Sequence, residues 1–192
     1  INNDIKDGFN FNKIKIENIP HPHMKYPGKR VHLVGYFGKT RFKVTIDLAF
    51  GDLIDPLNMS LPLTHGKKGA LFESSISLSC YPIEFIFAEK LHAMVDRGRY
   101  NSRMKDFHDL YSMILQKGDQ LSSNIGNIIK TVFNHRETEI KLPIIFSSQA
   151  IEDLQSFWNR YLQGLKKDHK MPINLKNIIQ IINDWLSKNT KL

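Results

Sequence analysis

Three acids and one lysine in this chain have the type and spacing to do chemistry. Lys90 lies in a run of helical pattern, and its neighbours three and four residues away, Ile86, Phe87, Ala93 and Met94, are apolar. An ammonium on such a stripe loses hydration unless a carboxylate, a phosphate or an exit to solvent compensates. The plain alternative is a long stem lying on apolar surface with its head in water. Asp106 and Asp109 stand three residues apart, so on a helix they are surface neighbours. Asp106 borders the apolar stripe Met104, Phe107, Leu110 and Tyr111, and a short turn between the two helices can bring it within reach of Lys90. Its plain alternative is a helix N-terminal acid that favours the dipole and pairs with Arg103 or Lys105.

Asp47 sits in a strand pattern beside Lys43 and Thr45. Carboxylates are depleted in strands. Metal ligation accounts for one there, since Mg²⁺ takes one or two carboxylates plus substrate phosphates; a solvated face accounts for it too. Arg97, Arg99, Arg103 and Lys105 gather around the inter-helix turn, where they can hold phosphate or form an ordinary solvated turn. His21 and His23 lack a third ligand close by, a weak basis for zinc. A single cysteine, Cys80, excludes internal disulfides and multi-cysteine zinc sites and fits a cytoplasmic protein. The chain carries no Walker loop, Gly-x-Ser-x-Gly or His-Glu-x-x-His.

The elements that must position these residues follow from periodicity. Ile14 and Ile16 alternate with lysines as a short strand. Arg30–Phe37 and Thr40–Phe50 read as a hairpin turning at Gly38-Lys39. Phe42, Val44, Ile46, Leu48 and Phe50 share one face, and Lys43, Thr45 and Asp47 the other. Residues 55–70 read as loop, punctuated by Pro56, Pro62, Gly66 and Gly69, with one more strand over Leu71–Ser79. From Pro82 the period becomes helical: a helix to about Asp96 ended by Gly98, and a second capped by Ser102 and stopped by Gly118. Three more cover Ser123–Arg136, Ser148–Lys166 and Leu175–Leu186. Strands followed by helices imply an α+β fold, with a sheet domain over 1–80 and a helical domain over 81–192. The 192 residues are 41% hydrophobic and 24% charged, ordinary for a globular protein, and no run approaches the roughly 20 apolar residues of a membrane span. The net charge of +8 favours anionic partners such as nucleic acid or nucleotides.

Three blocks carry a resemblance. Tyr81-Pro82-Ile83-Glu84, then Ala88-Glu89-Lys90-Leu91-His92-Ala93, then Arg103-Met104-Lys105-Asp106-Phe107-His108-Asp109-Leu110 resemble, in order and spacing, the signature of the AbiEii/AbiGii nucleotidyltransferase toxins. Upstream, Val44–Asp52 resembles that family's strand ending in Phe-Gly-Asp, so the likeness spans nearly the whole chain. It implies part of a nucleotidyltransferase sheet followed by a helical C-terminal domain. It also implies transfer of a nucleoside monophosphate from an NTP, with Mg²⁺, to an acceptor such as RNA, notably the ends of tRNA, by a toxin restrained by an antitoxin. By resemblance Lys90 contacts the nucleotide phosphates, Asp106 partners it or acts in catalysis, and Asp109 belongs to the same motif. Arg103 and Lys105, from the basic cluster at the turn, are expected to bind substrate, and by resemblance Asp47 takes the place of a strand carboxylate near the metal. His108 stands where the family usually has tyrosine. The Gly-Gly-Thr-type loop and Asp-x-Asp pair with which the family opens are not found here. With the start at Ile1, this implies a truncated piece that is inactive by itself. The rival expectation is a non-catalytic relative that binds nucleic acid or protein.

Overall fold

The computed structural model describes residues 8–19, 28–51, 56–62, 65–66, 69–70, 75–121, 124–166 and 170–191. His21, His23 and Asp52 lie outside these residues. The chain divides into two compact units, Ile1–Leu53 and Ile54–Leu192.

The first unit is a three-stranded antiparallel sheet of β1 (Phe9–Ile19), β2 (Gly28–Phe37) and β3 (Thr40–Leu48), in the order β1-β2-β3. The expected hairpin is present, turning at Gly38, whose φ of 56° suits glycine. The β1 strand is longer than the short stretch around Ile14 and Ile16 that alternation implies, because both of its ends pair with β2 and only a bulge between Phe11 and Lys13 interrupts the register. The register aligns Ile14, Leu33 and Val44 in one row and Ile16, Val31 and Ile46 in the next, so the alternating residues assemble one continuous apolar face. Gly35 lets the Phe42 ring cross the middle strand; a Cβ at this position would run into that ring.

The second unit begins with a region expected as loop and found to hold strands. β4 (Leu57–Pro62) pairs antiparallel with β7 (Ser75–Cys80), and the two-residue β5 (His65–Gly66) and β6 (Gly69–Ala70) pair with one another. The prolines mislead here because Pro56 precedes β4 and Pro62 ends it, positions at which a missing N–H breaks no central ladder bond.

Among the described residues five helices follow: α1 (Ile83–Arg97), α2 (Met104–Lys117), α3 (Ile125–His135), α4 (Ser148–Gln163) and α5 (Leu175–Asn189). α1 packs against α2 and α3, and α2 and α4 both pack on α5. Their stripes at three- and four-residue spacing build one core: Phe87, Leu91 and Met94; Phe107 and Leu110; Ile129 and Phe133; Leu154 and Trp158; Ile178, Ile182 and Leu186. The buried Trp158 indole satisfies its N–H on the Pro172 carbonyl at 2.9 Å. Ser147 and Asn174 cap α4 and α5 through their side chains. Ser102 does not cap α2. The N-cap residue is Arg103, and the side chain that meets the helix entrance is Asn101.

Candidate active site

The turn that joins α1 to α2 determines which charged side chains meet. Gly98, at φ 49°, ends α1 and leads into a single 3-10 turn, Gly98–Tyr100. Asn101 follows and is fully buried. Its Nδ2 donates to the Ala93 carbonyl at 3.2 Å and its Oδ1 accepts from the Arg103 N–H at 2.9 Å. One amide thereby ties the last turn of α1 to the first residue before α2. Buried amides are stable only when such partners are in place, so the loop geometry and the helix register are fixed together.

In that register Lys90 from α1 meets both acids of α2. Its Nζ lies 3.0 Å from Asp106 Oδ1 and 2.7 Å from Asp109 Oδ2. The apolar stripe around Lys90 is thus compensated by carboxylates, and its side chain is only 21% exposed. Burial pulls the Lys90 pKa down. Hydrogen bonds to Asp109 and Asp106, together with their charges, outweigh burial and hold it above the ordinary lysine value. Asp106 is buried, with 3% of its side chain exposed, while 25% of Asp109 is exposed. The second oxygen of Asp106 makes no hydrogen bond; its neighbour is the Arg103 guanidinium, an ion pair at 3.2 Å with poor hydrogen-bond alignment. The i,i+3 partner expected for Asp106 is therefore Arg103. Lys105 is exposed and makes no ion pair among the described residues.

Two supports around this centre carry weak sequence signals. Glu89, beside Lys90, accepts a hydrogen bond from the Tyr81 hydroxyl and lies 3.3 Å from the Arg136 guanidinium. Tyr81 belongs to the first motif block, but Arg136 comes from the end of α3, and no local pattern links the two. From α4, the Tyr161 hydroxyl meets His108 Nδ1 at 2.8 Å. Burial, and after it the charge of Asp109, raises the Tyr161 pKa. The residue that departs from the resembled pattern, His108, is thus held by a tyrosine from another helix. Of the basic cluster at the turn, Arg99 pairs with Asp153 of α4 at 2.8 Å and stacks over Tyr100.

Asp47 belongs to the first unit. Its two oxygens take Arg30 Nε at 2.7 Å and Nη2 at 2.8 Å. Such a bidentate pair takes one lone pair on each oxygen and sets a guanidinium charge beside the carboxylate, where it opposes a metal cation. Lys90 Nζ likewise stands between Asp106 and Asp109 where a bound cation would stand. No group of three or more His, Cys, Asp or Glu side chains able to hold a metal occurs among the described residues. These residues as arranged do not fit a resident Mg²⁺.

Fold and site together define an α+β protein whose charged centre joins two consecutive helices. A model of the family described as nucleotidyl transferase AbiEii toxin, type IV toxin–antitoxin system, matches residues 1–178. The chain belongs to that family. No curated protein matches it. None of the described helices is long and apolar enough to cross a membrane.

Proposed function

We propose that the protein transfers a nucleoside monophosphate from an NTP to an RNA acceptor, with the end of a tRNA as the preferred form, and acts as a toxin restrained by a cognate antitoxin. Family membership supports the transferase class. The observation that carries the site assignment is the convergence of Lys90, Asp106 and Asp109 across the α1–α2 turn.

The chemistry needs cations near the triphosphate and a group that handles the acceptor's proton. Lys90, Arg103, Asp106 and Asp109 carry two positive and two negative charges, so the centre is neutral overall. In this reading Lys90 is kept charged and aimed by the acids, and an arriving phosphate oxygen shares its ammonium. Asp106, buried and paired on both sides, is a positioning residue. Asp109, the more exposed acid, is the one a substrate hydroxyl can reach. Arg103 and Lys105 line the solvent side of the turn and meet phosphates there. Any Mg²⁺ arrives with the nucleotide and is held chiefly by the phosphates.

The test is nucleotide transfer by the full-length gene product with labelled NTP and total tRNA. Lys90→Met and Asp109→Asn should each abolish transfer while the far-ultraviolet dichroism stays unchanged. Full activity in both variants would leave the second reading, a non-catalytic binding relative in which the three residues act only as a staple between helices. Because the 192 residues contain no Asp-x-Asp pair, we expect them to show no transfer by themselves; label incorporated by this chain alone would refute that.

A further inference from the structure

In the second unit a cleft of about 350 Å³ opens between the start of α3 and the end of α5. Gly126, Asn127 and Lys130 line it from α3, with Lys188, Asn189 and Lys191 opposite. None of the lining residues is acidic or aromatic. No ammonium of these three lysines has a carboxylate partner among the described residues, whereas Lys90 has two. Lys130 Nζ donates to the Lys191 carbonyl at 3.3 Å, which holds its charge at the cleft. The dipole at the C-terminal end of α5 favours a cation at Lys188. It does not account for Lys130, which comes from the middle of α3.

We infer that this cleft binds the phosphodiester backbone of the RNA acceptor. Three lysines with no carboxylate partner among the described residues, set in a concave polar surface, attract a polyanion by releasing its counterions. Without an aromatic ring there is no platform on which a base can stack, so the cleft reads backbone and not sequence. The polar lining, with Asn127 and Asn189 beside the lysines, suits phosphate and sugar oxygens. The inference rests on the proposed RNA acceptor and extends it: the acceptor is held at a second place, formed by different helices from those that carry Lys90 and Asp109.

The test is fluorescence anisotropy of a labelled mixed-sequence single-stranded RNA, titrated with the intact 192-residue chain, without nucleotide, over a series of salt concentrations. The triple variant Lys130→Gln/Lys188→Gln/Lys191→Gln should flatten the slope of log Kd against log salt by about 2, near 0.7 for each lost phosphate contact. Its affinity should fall roughly tenfold or more at low salt. Lys13→Gln/Lys39→Gln/Lys43→Gln, with the same change in charge on the sheet unit, should keep the slope of the unsubstituted chain. Equal loss in both variants, an unchanged slope in the cleft variant, or no RNA binding by the unsubstituted chain each overturns the inference. Binding is read without catalysis, so these outcomes are separate from the transfer assay. Transfer to RNA by the full-length protein alongside a salt slope indifferent to the cleft lysines would retain the transferase and discard the cleft.

Discussion

At Lys90 two opposing effects set the charge. Burial disfavours the ammonium, and two carboxylates within 3.0 Å restore it. The sign of the pH dependence follows. A lysine whose folded pKa is raised contributes its full stability below the ordinary value of about 10.5 and loses it as pH climbs through the higher folded value. Tyr161, also raised, acts in the same window: its neutral form is the one the fold favours, and ionisation at high pH destabilises. Urea unfolding should therefore show a fall in stability between neutral pH and about pH 11 that is smaller in Lys90→Met, with Tyr161 unchanged in both. An identical fall in the two proteins would remove Lys90 from the account. The acids should differ as well. Asp106→Asn takes a charge-assisted hydrogen bond from a buried site and should cost about 2–3 kcal/mol. Asp109→Asn, at a more exposed site, should cost about 1 kcal/mol or less. Denaturant midpoints compare them directly, and the reverse order would mean that Asp109 is the structural partner.

Single turns and crossings carry the next level. Asn101 holds α1 to α2 through two hydrogen bonds from one buried amide. Asn101→Ala leaves the Arg103 N–H without that acceptor and should cost about 2–3 kcal/mol. It should also shift the NMR signal of a labelled Lys90 ammonium, because the register that sets the lysine opposite its acids is loosened. A stability loss with an unmoved Lys90 signal would show that the turn does not position the site. In the sheet, Gly35 admits the Phe42 ring, which also meets Phe9 and Phe11 edge-on. Gly35→Val must expel that ring. The expected result is a loss of about 1–3 kcal/mol, visible as lost aromatic cross-peaks among Phe9, Phe11 and Phe42.

On the scale of the whole molecule, stability is concentrated in the helices. Among the described residues, the buried apolar core lies in the second unit, from Phe87 to Leu186. In the sheet unit Ile14, Ile16, Ile46 and Leu48 are between 41% and 62% exposed. Trp158→Ala should accordingly cost about 3–5 kcal/mol, whereas Ile46→Thr should change stability by roughly 0.5 kcal/mol or less. Thermal unfolding followed by helical dichroism measures both, and a large effect from Ile46 would place part of the cooperative core in the sheet.

Local pattern by itself determined the order of strands before helices, the Gly38 hairpin and the five helices of the described residues; for Lys90, Asp106 and Asp109 it left a plain alternative open beside the chemical one, and the resemblance of the three blocks singled them out. Periodicity and turn residues act over a few positions and need no knowledge of the rest of the chain. The same locality hid β4 behind its flanking prolines and gave the cap of α2 to Ser102, whereas Arg103 stands at that position and no side chain caps the helix. Tertiary structure alone decided that Asp109 as well as Asp106 reaches Lys90, that Arg30 occupies Asp47, and that Tyr161 and Arg136 support the site from α4 and α3. These contacts join residues 16 to 53 positions apart. Distances across packed helices are set by core volume and by the angle of one buried turn, and neither is written in the spacing of the residues that meet.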